Sequence, residues 1–175
     1  MDAYPWYCTV AADASCLQGD ILRSCPVVVP TVATQFDAEA ASAEVLEYDV
    51  VILSQSCDLV QRKVDLVLVC PVWELGAMSE RSHYLRSTEG RETLRRGNLP
   101  GYHLLNACDI EGFEFPHLVV DFHNVYGVPF DLLVTHARDS GQRVRLLPPY
   151  REHLAQAFAR FFMRVGLPVD ISPFR

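Results

Sequence analysis

Two polar clusters carry the residue types best suited to chemistry. Ser54-Gln55-Ser56-Cys57-Asp58 follows directly on an apolar, β-branched run. That order predicts a strand end, where a rigid backbone displays side chains. Cys57 is a nucleophile if a base takes its proton, and His123 is the candidate base. Asp58 opposes the role, since a nearby negative charge raises a thiol pKa. The competing reading makes Cys57 a small buried residue and Asp58 the cap of the next turn. The second cluster is Asp121-Phe122-His123-Asn124. On a strand Asp121 and His123 share a face, and a carboxylate beside an imidazole orients a general base or a metal ligand. His103 and His117 have no partner at a recognisable spacing.

Charge narrows the choice of partner. The 175 residues include 22 acidic and 15 basic side chains, for a net charge of −7, and Lys63 is the single lysine. An acidic balance weighs against a nucleic-acid grip over the whole surface. Arg81, Arg86, Arg91, Arg95 and Arg96 nevertheless crowd into residues 77–97, the one candidate basic patch. It suits RNA phosphate, a nucleotide or an acidic protein, against the plainer reading of a solvated helix face. Arg23, Ser54 and Gln55 join these arginines as candidate binding residues.

No metal or cofactor is expected. The six cysteines form no C-x-x-C pair, as tight zinc sites usually require. Phosphate-binding glycine loops, dinucleotide fingerprints and H-E-x-x-H are all missing from the sequence. No apolar run reaches the ~18 residues of a spanning helix, and the first residues lack a basic-then-apolar leader. The reading is therefore a cytoplasmic chain with reduced thiols and no membrane contact.

The elements that must position these residues follow from periodicity. Residues 18–29 read as a turn at Gly19-Asp20 feeding a strand. Residues 36–47, rich in Ala and Glu, read as a short helix or an excursion. Asp49–Leu53 and residues 64–72 read as buried strands joined as a hairpin through Gln61, Arg62 and Lys63, the second ended by Pro71. Residues 77–97 read as one or two short helices, capped by Ser87 or Thr88 and closed by Gly97. A turn at Asn98, Pro100 and Gly101 leads into YHLLNA. HLVVDFHNVYGV, FDLLVTHA and QRVRLLP then read as further strands, with Arg138–Gly141 a hairpin loop. Pro149 starts a helix whose stripe is Leu154, Phe158, Phe161, Phe162 and Val165, stopped by Gly166 and Pro168. The fold class is mainly β with appended helices, α+β, a small barrel in a single domain over 1–175. Residues 18–76 and 102–147 supply its strands, 77–97 a helical insert and 149–165 a packing helix.

GDIL at Gly19–Leu22, VVILSQSCD at Val50–Asp58, VLVCPV at Val67–Val72 and VVDFHNVYGVP at Val119–Pro129 resemble the PemK/MazF-like family of SH3-type barrels. The resemblance implies a bacterial stress, toxin–antitoxin or phage-defence setting and a protein partner encoded nearby. Toxin-type members cut RNA with an arginine after the first strand and a Ser or Thr further on. Here Arg23 and Ser54 or Ser56 are the nearest counterparts, and residues 31–48 hold no arginine. The expected function is therefore binding or regulation, with a toxin-type endoribonuclease or a Cys57–His123 enzyme as alternatives.

Overall fold

The computed structural model describes residues 4–31 and 42–163. Eight strands dominate: β1 (Tyr7–Val10), β2 (Asp20–Thr31), β3 (Ser42–Ile52), β4 (Leu66–Glu74), β5 (Tyr102–Leu105), β6 (Leu118–Asp121), β7 (Tyr126–Pro129) and β8 (Arg143–Leu146). All their pairings are antiparallel, in the order β1-β8-β2-β3-β4-β6-β5, with β7 also on β4. The fold is α+β. Its sheet is open, and among the described residues no ladder joins β1 to β5. The two ends nevertheless meet through a side chain: Tyr7 Oη donates to the Asn106 carbonyl at 2.6 Å, and the Tyr7 ring lies edge-on to Phe115.

The strands divide their alternate side chains between two cores. Ile21, Val51, Cys70, Val72, Leu105, Val120, Val144 and Leu146 point to one interior, which is closed by Leu154, Phe158 and Phe161 of a C-terminal helix. Leu22, Val50, Ile52, Val67, Val69 and Val128 point to the other, under Leu59, Leu133 and Ala137.

Among the described residues six helices serve these faces: α1 (Ser56–Val60), α2 (Leu75–Arg81), α3 (His83–Arg86), α4 (Thr88–Arg95), α5 (Phe130–Asp139) and α6 (Tyr150–Phe162). The insert holds three helices where one or two were expected. Ser87 caps α4 as read, accepting from Gly90 N at 3.0 Å, and Gly97 closes it at φ +69°. Leu85 and Leu94 press the insert onto Val119. On α6, Leu154, Phe158 and Phe161 pack inward as expected, but Phe162 is exposed. Val165, Gly166 and Pro168 lie outside the described residues.

Several expectations are corrected. FDLLVTHA is helix, not strand, because Phe130, Leu133, Val134 and Ala137 recur at helical spacing and all reach one core. Arg138–Gly141 is accordingly the end of α5 rather than a hairpin loop. Residues 42–47 are strand, since pairing to β2 from Ser42 to Tyr48 outweighs their helical composition; residues 36–41 lie outside the described set. The β3–β4 connection contains α1. Pro71 does not end β4, which runs on to Glu74; it sits where the partner strand changes from β7 to β6. HLVVDFHNVYGV is two strands broken by a turn after Asp121. The short β1 was not anticipated.

A buried ion cluster, also unanticipated, fastens β8 to β2. Asp20 is fully buried, and its Oδ2 meets Arg143 Nε at 2.6 Å while its Oδ1 meets Arg145 Nε. Arg143 directs three further donors to the carbonyls of Ala11, Ala14 and Ser15, so four of the five guanidinium protons are paired in a dry setting.

Candidate functional site

The turn after β6 builds the first half of the site. The Asp121 Oδ1 accepts from the His123 backbone N–H at 3.1 Å and from its Nδ1 at 2.8 Å; Oδ2 accepts from Asn124 Nδ2 at 2.7 Å. Asp121 and His123 are thus paired as anticipated, by a turn and not by the alternation of a strand. With Nδ1 donating, Nε2 is the basic nitrogen. The imidazole lies between the rings of Tyr102, 4.9 Å away, and Phe161, 5.3 Å away. It also rests on the backbone of Gly101, where a Cβ would fall 2.3 Å from Cε1. Gly101 at φ +90° therefore meets two demands, a left-handed turn and room for the ring. Burial, then the charge of Asp121, raises the pKa of the Tyr102 phenol.

Beside this turn opens a cleft of about 630 Å³ between the end of the insert and α6. Arg95 and Arg96 border it from the insert, His103 and Phe122 from the sheet, and His153 and Arg160 from α6; among the described residues no Asp or Glu lines it. Arg95 and Arg96 share the Glu92 carboxylate, each at 2.7 Å, and the two hold that carboxyl down at about 2. Arg160 has only the Gln156 carbonyl, 3.4 Å from its Nε, and no acidic partner among the described residues. The local charge is therefore positive on a molecule that is acidic overall. His103 is partly buried, and its Nε2, itself shielded from solvent, has no hydrogen-bond partner among the described residues. Burial, followed by the charges of His153 and Arg160, lowers its pKa to about 4. The imidazole is neutral at pH 7.

The anticipated arginines divide by role. Arg81 lies over the Trp73 ring at 5.5 Å. Arg86 donates to the carbonyls of Ser79 and Glu80, and Arg91 to the Leu85 carbonyl and the Ser79 hydroxyl. Arg86 and Arg91 hold the insert together and Arg81 sets it against β4, while Arg95 and Arg96 face the cleft. Arg23 sits apart, 3.9 Å from Asp49, on a smaller cavity with Glu74 and Gln142.

The cluster from Ser54 to Asp58 lies elsewhere. Ser54 Oγ accepts from Leu68 N at 2.8 Å, and Gln55 precedes α1 without a side-chain capping bond. Cys57 is exposed, not buried, with Sγ 3.7 Å from Asp58 Oδ1. Asp58 supplies its backbone carbonyl to Lys63 N. Cys57 follows β3, whereas His123 follows β6, and these strands flank β4 on opposite sides. No hydrogen bond among the described residues joins Cys57 to His123.

His153 and Arg160 were not singled out from the sequence, yet a signal exists. His153, Gln156 and Arg160 fall at i, i+3 and i+7 on α6, a polar stripe beside the apolar one. No protein-family model matches the chain, and no curated protein matches it.

Proposed function

We propose that this protein works by binding a macromolecule, that RNA is the ligand, and that it serves as a regulatory protein of a bacterial stress, toxin–antitoxin or phage-defence system. A PemK-like, SH3-type barrel is the finer description of its fold. Support for that description comes from the interior fed by seven of the eight strands and from the approach of β1 to the end of β5. The observation that carries the function is the cleft, in which three arginines and two histidines meet Tyr102 and Phe161 with no carboxylate among the described lining residues. Guanidinium groups neutralise phosphates and aromatic faces stack bases, the combination used for single strands. A protein partner encoded nearby belongs to the same reading and would be sought by co-purification.

The test is fluorescence anisotropy with a labelled single-stranded RNA at about 50 mM salt, where phosphate contacts are strongest. Binding should weaken steeply as salt rises, and both Arg160→Glu and the double variant Arg95→Glu/Arg96→Glu should abolish it. A folded wild-type protein that leaves the RNA free at low salt overturns the proposal. The Asp121–His123 pair favours a second reading, a toxin-type endoribonuclease in which Nε2 of His123 is the base. Metal-free cleavage of the same RNA, lost in His123→Ala, would establish it; intact RNA after prolonged incubation would dismiss it.

A further inference from the structure

We infer that His103, His153 and Arg160 form a phosphomonoester site at the buried side of the cleft, so that the ligand is engaged by a terminal phosphate. This rests on the reading of the cleft as an anion-binding surface. Three observations converge. His103 presents a buried ring nitrogen with no partner among the described residues, a position that costs free energy unless something outside the chain supplies a partner. His103, His153 and Arg160 all line the same cleft, and Arg160 has no acidic partner among the described residues. Arg95 and Arg96 share one carboxylate, leaving the cleft with an excess of positive charge.

The chemistry selects the class of ligand. A phosphomonoester carries nearly two negative charges and three terminal oxygens. It can accept from the Arg160 fork and from a ring nitrogen of each histidine together. An internal phosphodiester carries one charge and is flanked by two sugars, so less of it can reach a largely buried nitrogen. Filling the site also opposes the low pKa of His103, whose first cause is burial. A dianion beside the ring favours the protonated imidazole, with both nitrogens donating. The shared chemistry has two sources, the end of an RNA strand and a free mononucleotide.

The experiment uses the whole chain with inorganic phosphate as probe, at constant ionic strength against chloride, followed by calorimetry and by the imidazole resonances of His103. Phosphate should bind with a dissociation constant of about 1 mM or tighter and move the His103 titration upward, toward its ordinary value. Arg160→Gln, at an exposed position that folding tolerates, should weaken binding about tenfold. His103→Phe, which keeps a ring and removes the nitrogens, should do the same. The arms are a 5′-phosphorylated RNA, the same RNA with a 5′-hydroxyl, its 3′-phosphorylated form and a mononucleotide; preference for any phosphorylated form identifies the source. Phosphate binding without RNA binding supports the site and overturns the RNA reading. Equal affinity for phosphorylated and hydroxyl RNA, with no phosphate binding, overturns the site and leaves the RNA reading standing. Phosphate binding unchanged in both variants also overturns it.

Discussion

A histidine buried beside cations resists protonation, and at His103 this has a measurable consequence for stability. The unfolded imidazole titrates near 6.5, the folded one at about 4. Between those values the unfolded chain binds a proton that the folded chain refuses, so stability falls as pH drops from about 6.5 to about 4 and levels off below. The loss attributable to this group is about 3 kcal/mol. Urea unfolding of the wild type at pH 7 and at pH 4.5 should show the decline, and His103→Phe should flatten it. An equal decline in both proteins would assign the effect to other groups. The pairing of Asp121 with His123 was legible in the sequence because two residues of separation suffice for contact in a strand and in a tight turn alike. The company of His103 was not legible, because Arg160 is 57 positions away and only tertiary packing brings it near.

Among the elements, the insert shows packing overriding local preference. Gly90 lies inside α4, where alanine would gain about 1 kcal/mol in helix propensity. A Cβ there, however, would fall 2.0 Å from the Tyr84 carbonyl oxygen, so α3 and α4 would have to separate. Overpacking of this kind costs about 1–3 kcal/mol, and Gly90→Ala is expected to lower the thermal midpoint measured by circular dichroism. An unchanged or raised midpoint would show that the two helices part without strain. The same contest explains which elements the sequence disclosed. The buried strands around Val50–Ile52 and Val67–Val69 have apolar residues on both faces, and α6 has an unmistakable stripe. FDLLVTHARD misled because its Leu-Leu-Val run resembles a strand, while the residues that decide, Leu133 and Ala137, are four apart. Residues 42–47 misled for the opposite reason, since Ala and Glu favour helix until β2 offers a ladder. Five-residue α1 and four-residue β1 are too short for any period to register.

On the scale of the whole molecule, the Asp20 cluster ties the segment after β1, the start of β2 and the strand β8 into one unit. Asp20→Asn keeps the shape but removes the charge that faces two guanidinium groups, of which Arg143 is buried. Stripping one partner from such a pair costs about 3–5 kcal/mol, to be read as a lowered urea midpoint. A change under about 1 kcal/mol would mean that the arginines find water or other acceptors instead. The contact between Tyr7 and Asn106 has a different consequence. Every neighbouring pair in the strand order is held by backbone amide bonds that yield cooperatively. The two ends of the sheet are instead joined by a phenol and a ring contact. Separation there sacrifices no ladder, so the open sheet has a built-in seam along which its two ends can begin to part, drawing Tyr7 and Phe115 out of the first core while the second stays intact.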